Sequence, residues 1–412
     1  MFKRLAAIVF IYSCTAVAWA VLGSTIFFRT YSADAKLRGR VESIWGAPHK
    51  QIPPTAAFEK AEPQKDESLV DGKRVVHTTE KIVTTPLPLE RSVVDVQLDL
   101  EHRQKGLLWY STYQVGFSGE YGFRNATGEE QMVTFRLSFP AQKAIFDDVR
   151  ISLNDAPLVS STGRSGLEAT ARVAANQAAV LKVGYRSQGL ASWSYGFGEN
   201  DVNAAREFAL KMRTSFRDID FPDETLAPSE KRQTPQGWEL AWNYKNLLSG
   251  AGIGLKMPEK LQPGPLAGQI SYFAPVSLFF FFFLIFIITT LREIELHPMN
   301  YFFLAASFFA FHLLLAYLVD HISIHAAFLL CSAVSIFLVV SYLRRVVGPR
   351  FAFVEAGVTQ FVYLVLFSYA FFFKGLTGLS VTIGAILTLF VVMQMTAKVR
   401  WAEKFAGSPA RA

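Results

Sequence analysis

Residues 271–291 read SYFAPVSLFFFFFLIFIITTL, a run without a single charged side chain. At 1.5 Å of rise per residue, a helix of this length crosses a hydrocarbon core of about 30 Å. Phe279 to Phe283 place apolar rings on every side of such a helix. All-round hydrophobicity of this kind marks a lipid-facing span rather than a cofactor pocket. Four more stretches of spanning length follow closely, at 301–319, 323–343, about 351–373 and 377–397. One stands far upstream, at 5–28, reading LAAIVFIYSCTAVAWAVLGSTIFF. Ala18-Trp19-Ala20 has the form of a signal-peptidase site, but the apolar run continues through Phe28, which suits an uncleaved anchor. Ile11-Tyr12-Ser13 before Cys14 is too bulky for a lipoprotein site. The expectation is a membrane α+β protein with one N-terminal span and a bundle of about five C-terminal spans.

Composition divides along the same lines. The chain of 412 residues is 51% hydrophobic and 18% charged, and the charges crowd into about 30–268. Such a split implies two solvents, water and lipid. The formal charge of +7 reflects the basic loops of the bundle and not a nucleic-acid surface. Lys3, Arg4, Arg292, Arg344, Arg345, Arg350, Lys398, Arg400, Lys404 and Arg411 fall on one side of the spans. Asp320, Lys374, His321 and His325 fall on the other. The positive-inside rule then puts both termini in the cytoplasm and residues 29–270 outside. Residues 398–412 form a cytoplasmic tail in this reading. Both cysteines, Cys14 and Cys331, lie in apolar runs and cannot staple the outside domain.

That outside domain alternates as half-buried strands do. Val94, Val96, Leu98 and Leu100 interleave with Asp95, Gln97 and Asp99. Val133 to Phe139, Phe208 to Phe216 and Trp238 to Tyr244 repeat the pattern. Turn residues separate them at Asn154-Asp155, Ser161-Thr162-Gly163 and Gly198-Glu199-Asn200. An antiparallel, sandwich-like domain is expected. Residues 48–73, with Pro53, Pro54, Pro63 and a dense charge run, read as an exposed connecting loop. Asn125-Ala126-Thr127 fits a glycosylation sequon.

Chemistry is sparse. No nucleophile–base set, zinc-binding helix or phosphate-cradling glycine loop stands out, so no catalytic, cofactor or metal residue is assigned. His321 and His325 are four apart but straddle a loop and a helix start. Polar groups within spans carry more weight, because burying them in lipid is costly. His312 near mid-helix, Glu355 within reach of Arg350 or Arg345, and Gln360 are the candidates. Ser380 and Gly384 could bring helices close.

Several segments, in order, resemble the CreD family of bacterial inner-membrane proteins. They begin with Arg40-Val41-Glu42-Ser43-Ile44-Trp45-Gly46 followed by Gln51. Arg103-Gln104-Lys105-Gly106-Leu107, Tyr113 and Gly119-Glu120-Tyr121 come next. His297-Pro298-Met299-Asn300-Tyr301, Phe311-His312-Leu313-Leu314-Leu315 and Asp320-His321 continue the series. The ending, Gly384 through Phe390 to Met395-Thr396-Ala397-Lys398-Val399-Arg400-Trp401, completes it. The stretch after Gln51 departs from the family in lacking Gly-Pro-x-Leu. The resemblance implies a part in cell-envelope integrity and colicin tolerance, linked to a two-component system and, in some members, to β-lactam response. It implies no catalytic residues. The partner expected for the outside domain is a wall, lipid or protein component, with transport or lipid handling by the bundle as the alternative.

Overall fold

The computed structural model describes residues 2–397 and 399, except 71–72, 106–107, 142–143, 164–165, 199–202 and 374. Lys374, Lys398, Arg400, Lys404, Arg411, the Glu199-Asn200 turn and the tail lie outside the described residues. The chain divides into two compact units: Met1–Lys36 with Leu261–Ala412, and Leu37–Lys260.

The first unit is helical. Its helices are α1 (Phe2–Trp45), α2 (Pro263–Leu291), α3 (Pro298–Leu318), α4 (Ile324–Val346), α5 (Phe351–Phe372) and α6 (Thr377–Thr396). Among the described residues, these six are long and apolar enough to cross a membrane. Proline opens α2 and α3, where its missing N–H would have had no partner. His297 caps α3 by accepting from the Met299 N–H at 3.2 Å, and Ser323 caps α4. Gly348, at φ 134°, turns the chain between α4 and α5.

The expected limits shift at two helix ends. Helix α1 does not stop at Phe28 but runs to Trp45, its residues from Leu37 onward belonging to the second unit. Ala35, Lys36, Leu37, Arg38, Arg40 and Glu42 are good helix formers, and Arg38 and Glu42 pair at i,i+4. Helix α2 likewise begins at Pro263 instead of Ser271. Helices α1 and α2 approach closely where Gly23 faces the Tyr272 Cβ and Gly268 faces Phe27. Phe281 and Phe308 pack at 4.6 Å in the bundle core, together with the fully buried Trp19 of α1. In α6 only Thr388 and Val392 are buried.

The second unit holds the sheets. In chain order the strands are β1 (His49–Gln51), β2 (Thr55–Val70), β3 (Lys73–Pro86), β4 (Leu89–Lys105), β5 (Leu108–Arg124) and β6 (Gln131–Ser138). Next come β7 (Phe146–Leu153), β8 (Ala156–Pro157), β9 (Ser160–Thr162), β10 (Gly166–Val173) and β11 (Ala178–Leu190). The last are β12 (Ser192–Tyr195), β13 (Asn203–Thr214), β14 (Glu230–Gln233), β15 (Trp238–Ser249) and β16 (Ile253–Lys256). An eight-stranded sheet runs β14-β15-β13-β4-β5-β11-β7-β8, a five-stranded one β3-β2-β6-β10-β9, and a three-stranded one β1-β12-β16. One core unites them, with Phe123 of the large sheet edge-on to Phe135 of the second at 5.7 Å. Gln51 ties the small sheet in, accepting from the buried Tyr185 hydroxyl at 2.7 Å.

Two expectations need correction. The domain is rich in β-sheet but not wholly antiparallel, since β4 pairs with β13 and β1 with β12 in parallel. Alternation reports which face a side chain takes and is blind to the direction of the neighbouring strand. Residues 48–73 are not a loop: β2 pairs with β6 through Thr55–Phe58 and with β3 from Ala57 to Val70. Pro53 and Pro54 lie in the link before β2, and Pro63 sits beyond its pairing with β6, where an edge tolerates a missing donor. The Asn125 sequon is buried, its side chain amide spent on the carbonyls of Glu129, Val173 and Ala174.

His49 of β1 is almost wholly buried against Tyr113, and burial holds its imidazole down at about 4. Unfolded, the ring titrates near 6.5, so between those values the unfolded chain binds the extra proton. Stability from the neutral ring is therefore complete above about pH 6.5 and is lost as pH falls towards 4. Acid melts of the protein and its His49→Gln variant should diverge over that window, by about 3 kcal/mol at its lower end. Parallel curves would remove His49 as the cause.

Candidate functional site

The three intramembrane candidates are brought to three separate places. His312 is fully buried in α3, and its Nδ1 meets the Phe308 carbonyl of its own helix at 2.9 Å. A carbonyl only accepts, so Nδ1 carries the proton and Nε2 is left without a partner among the described residues. The Trp19 ring stands edge-on to it at 5.3 Å, its own indole N–H equally unpartnered. Glu355 pairs with Arg292 at the end of α2 and not with Arg345 or Arg350. Sequence proximity favoured the wrong arginines, because the pairing is set by α2 lying beside the start of α5. Gln360 donates to the Ser335 hydroxyl at 2.8 Å, which donates to the Ser307 carbonyl at 2.7 Å. That relay knits α3, α4 and α5 together.

Helix α5 carries two π-helical turns, Phe351–Ala356 and Phe361–Leu366. Such turns leave backbone carbonyls short of partners, and they recur at functional sites. Ser277 of α2 donates to the Tyr363 carbonyl in the second of them. Beside it lies a groove of about 600 Å³ between α2, α5 and α6, apolar except chiefly for the Tyr363–Thr388 hydroxyl pair at 2.6 Å. Ser380 and Gly384 line this groove. His325 lies tilted against Phe372 at 5.1 Å, and among the described residues no three His, Cys, Asp or Glu side chains could hold a metal ion.

The β unit offers a different kind of site, which the sequence reading missed. On the solvent face of the eight-stranded sheet a trough of about 460 Å³ crosses the strands. Register builds it in two rows: Asp95, Ser118, Gly184, Arg150, and beside it Arg213, Gln97, Gly116, Arg186. Small residues of β5 and β11 make the floor, and charged residues of β13, β4, β11 and β7 make the rim. Asp148, at φ 53°, grips Arg150 through two hydrogen bonds of 2.9 and 2.6 Å. Asp95 holds Arg213 at 2.5 Å, and Lys182 reaches Asp155 at 2.5 Å. Arg186 sits at a register shift against β7 and has no ion pair among the described residues. The signal was present as Lys182-x-Gly184-x-Arg186, alternate residues of one strand face. What the sequence withheld was which strands stand beside β11.

Six membrane-length helices joined in one chain to a large β-sheet unit define a polytopic membrane protein with an appended water-soluble domain. The apolar helices imply a lipid bilayer as their surroundings. Residues 231–402 match the family described as inner membrane protein CreD. No curated protein matches the chain. Among solved structures it is similar to a protein titled as nutrient-binding from Legionella pneumophila, at 8% identity and a TM-score of 0.35. That likeness covers 57% of this chain and 76% of the other. An M1 zinc metallopeptidase from Deinococcus radiodurans is similar at 8% identity and a TM-score of 0.26, over 41% of this chain and 42% of its own. Similarity this low bears on neither fold nor activity.

Proposed function

We infer that this protein supports the integrity of the bacterial cell envelope without catalysing a reaction, its β unit facing the periplasm and acting as the binding part. Both termini and the basic loops are then cytoplasmic. The observation that carries the reading is the contrast between the two units. His312, Glu355 and Gln360 share no path, each being tied to a different local partner. The β unit instead presents one concave, charged face built from five adjacent strands. The ion pairs of the bundle fit spans that alternate in direction. Arg29, within α1, meets Asp320 just past the end of α3 at 3.1 Å, while Arg292 meets Glu355 where α2 ends and α5 begins.

The alternative, a transporter or lipid-handling protein, would draw on the groove along α5 and on His312 and Glu355. A chain carrying His312→Leu and Glu355→Leu, present in the membrane at normal level, should restore envelope integrity fully to cells lacking the protein. Arg292 is half exposed and stays solvated without its partner. Loss of rescue at normal protein level would move the function into the bundle.

A further inference from the structure

The floor of the trough is glycine without a packing reason. A Cβ at Gly116 would meet only the Gln97 Cβ at 3.9 Å, and one at Gly184 only the Phe117 carbonyl at 3.5 Å. Both are ordinary contacts, and neither glycine has a positive φ. Glycine inside a strand sacrifices about 0.5–1 kcal/mol relative to alanine. A strand glycine with no backbone or packing need marks a place where something else comes close. Around this floor stand four cations, Arg150, Lys182, Arg186 and Arg213; Asp148, Asp155 and Asp95 pair with three of them, and Arg186 has no ion pair among the described residues. Two of the guanidiniums are held in place by their carboxylates, which leaves other N–H groups free to donate.

We propose that the trough binds an elongated anion, its slender middle on Gly116, Ser118 and Gly184, one oxyanion group taken by Arg186 and Arg150 and another by Arg213. Arg186 and Arg213 stand on strands three spacings apart, β11 and β13, a backbone separation of about 14 Å. An extended ligand with an oxyanion at each end spans that separation. Phosphate and carboxylate satisfy a guanidinium fork equally, so the shared chemistry is an oxyanion at each end of an extended chain. The proposal rests on the reading that the β unit is the binding part.

The test uses the full chain in detergent micelles, titrated calorimetrically with four probes: a linear polyphosphate, tetragalacturonate, pyrophosphate and the neutral maltotetraose. At least one long anion should bind, at least tenfold more tightly than pyrophosphate, and more weakly as salt is added. Polyphosphate alone, or tetragalacturonate alone, would identify phosphate or carboxylate as the natural group. Arg186→Gln should weaken the long anion about tenfold, with Arg186→Lys in between. Gly116→Val with Gly184→Val fills the floor without touching a charge and should abolish binding while the fold is kept. Binding of maltotetraose as tight as that of the anions, no binding of either long anion, or undiminished binding by the valine variant overturns the proposal. Loss of binding by the valine variant with envelope integrity intact in cells would instead keep the site and defeat the functional reading.

Discussion

Asn125→Ala is expected to destabilise the β unit by about 4 kcal/mol, more than any exposed substitution on the same sheets. The residue is fully buried where β5 ends. Its Nδ2 donates to the carbonyls of Glu129, Val173 and Ala174 at 3.0 to 3.1 Å. Its Oδ1 accepts from the Thr127 N–H at 3.0 Å and from the Thr127 hydroxyl at 2.7 Å. Alanine removes every one of these at once and strands buried carbonyls, each costing about 1–3 kcal/mol when nothing replaces the partner. Water reaching part of the void keeps the total below the sum. Asn125→Asp should be nearly as damaging, because a carboxylate cannot donate to three carbonyls. Protease resistance of the full chain against urea, followed on fragments of the β unit, measures the loss. A shift below about 1 kcal/mol would mean the loop 125–130 holds itself together without this side chain. The same geometry explains the sequon: a side chain with all its hydrogen-bonding capacity spent inside the fold has no amide to offer a glycan.

Gly46→Ala is the second large effect, also about 4 kcal/mol. Gly46 follows α1 at φ 97°, with its N–H bonded to the Glu42 carbonyl at 3.2 Å, the position where glycine ends a helix. Holding another residue there costs about 1–3 kcal/mol in strain. The clash adds more, because a Cβ would lie 2.1 Å from the Gln188 carbonyl oxygen and 2.7 Å from its carbon. That carbonyl belongs to β11 in the middle of the large sheet, so it cannot move aside without disturbing the Gln188–Gln114 pairing. Gly39, inside α1 with nothing within 4 Å, supplies the control, and Gly39→Ala should stabilise the helix slightly. Comparable melting of the two variants would rule out the steric argument. Gly46 stands in the segment that carried the family resemblance, and this close approach gives a physical cause for a glycine there.

The sequence by itself determined whatever depends on a residue's own solubility and on short periods. Uninterrupted apolar runs can only be satisfied in lipid as helices, which is why Ser271 to Leu291 and the runs that follow reappear within α2 to α6. Alternation along Val94 to Leu100 and Val133 to Phe139 placed those strands and their buried faces. Neither signal carries information about partners distant along the chain. The charge run of 59–67 therefore read as a loop, although pairing with β3 makes it a strand. Glu355 seemed to belong to the arginines nearest in sequence, yet α2 brings Arg292 to it from 63 residues away. His312, Glu355 and Gln360 were legible as costly polar groups, but only packing could tell that they do not meet. The trough was the least legible feature of all. Lys182, Gly184 and Arg186 were visible as alternate residues, but a concave rim needs Arg150 and Arg213 from strands that precede and follow them. Strand order is fixed by the burial of a shared core, a sum over many residues in all three sheets. For that reason tertiary structure alone decided that glycines without a packing role would stand beside the guanidinium of Arg186, which has no ion pair among the described residues.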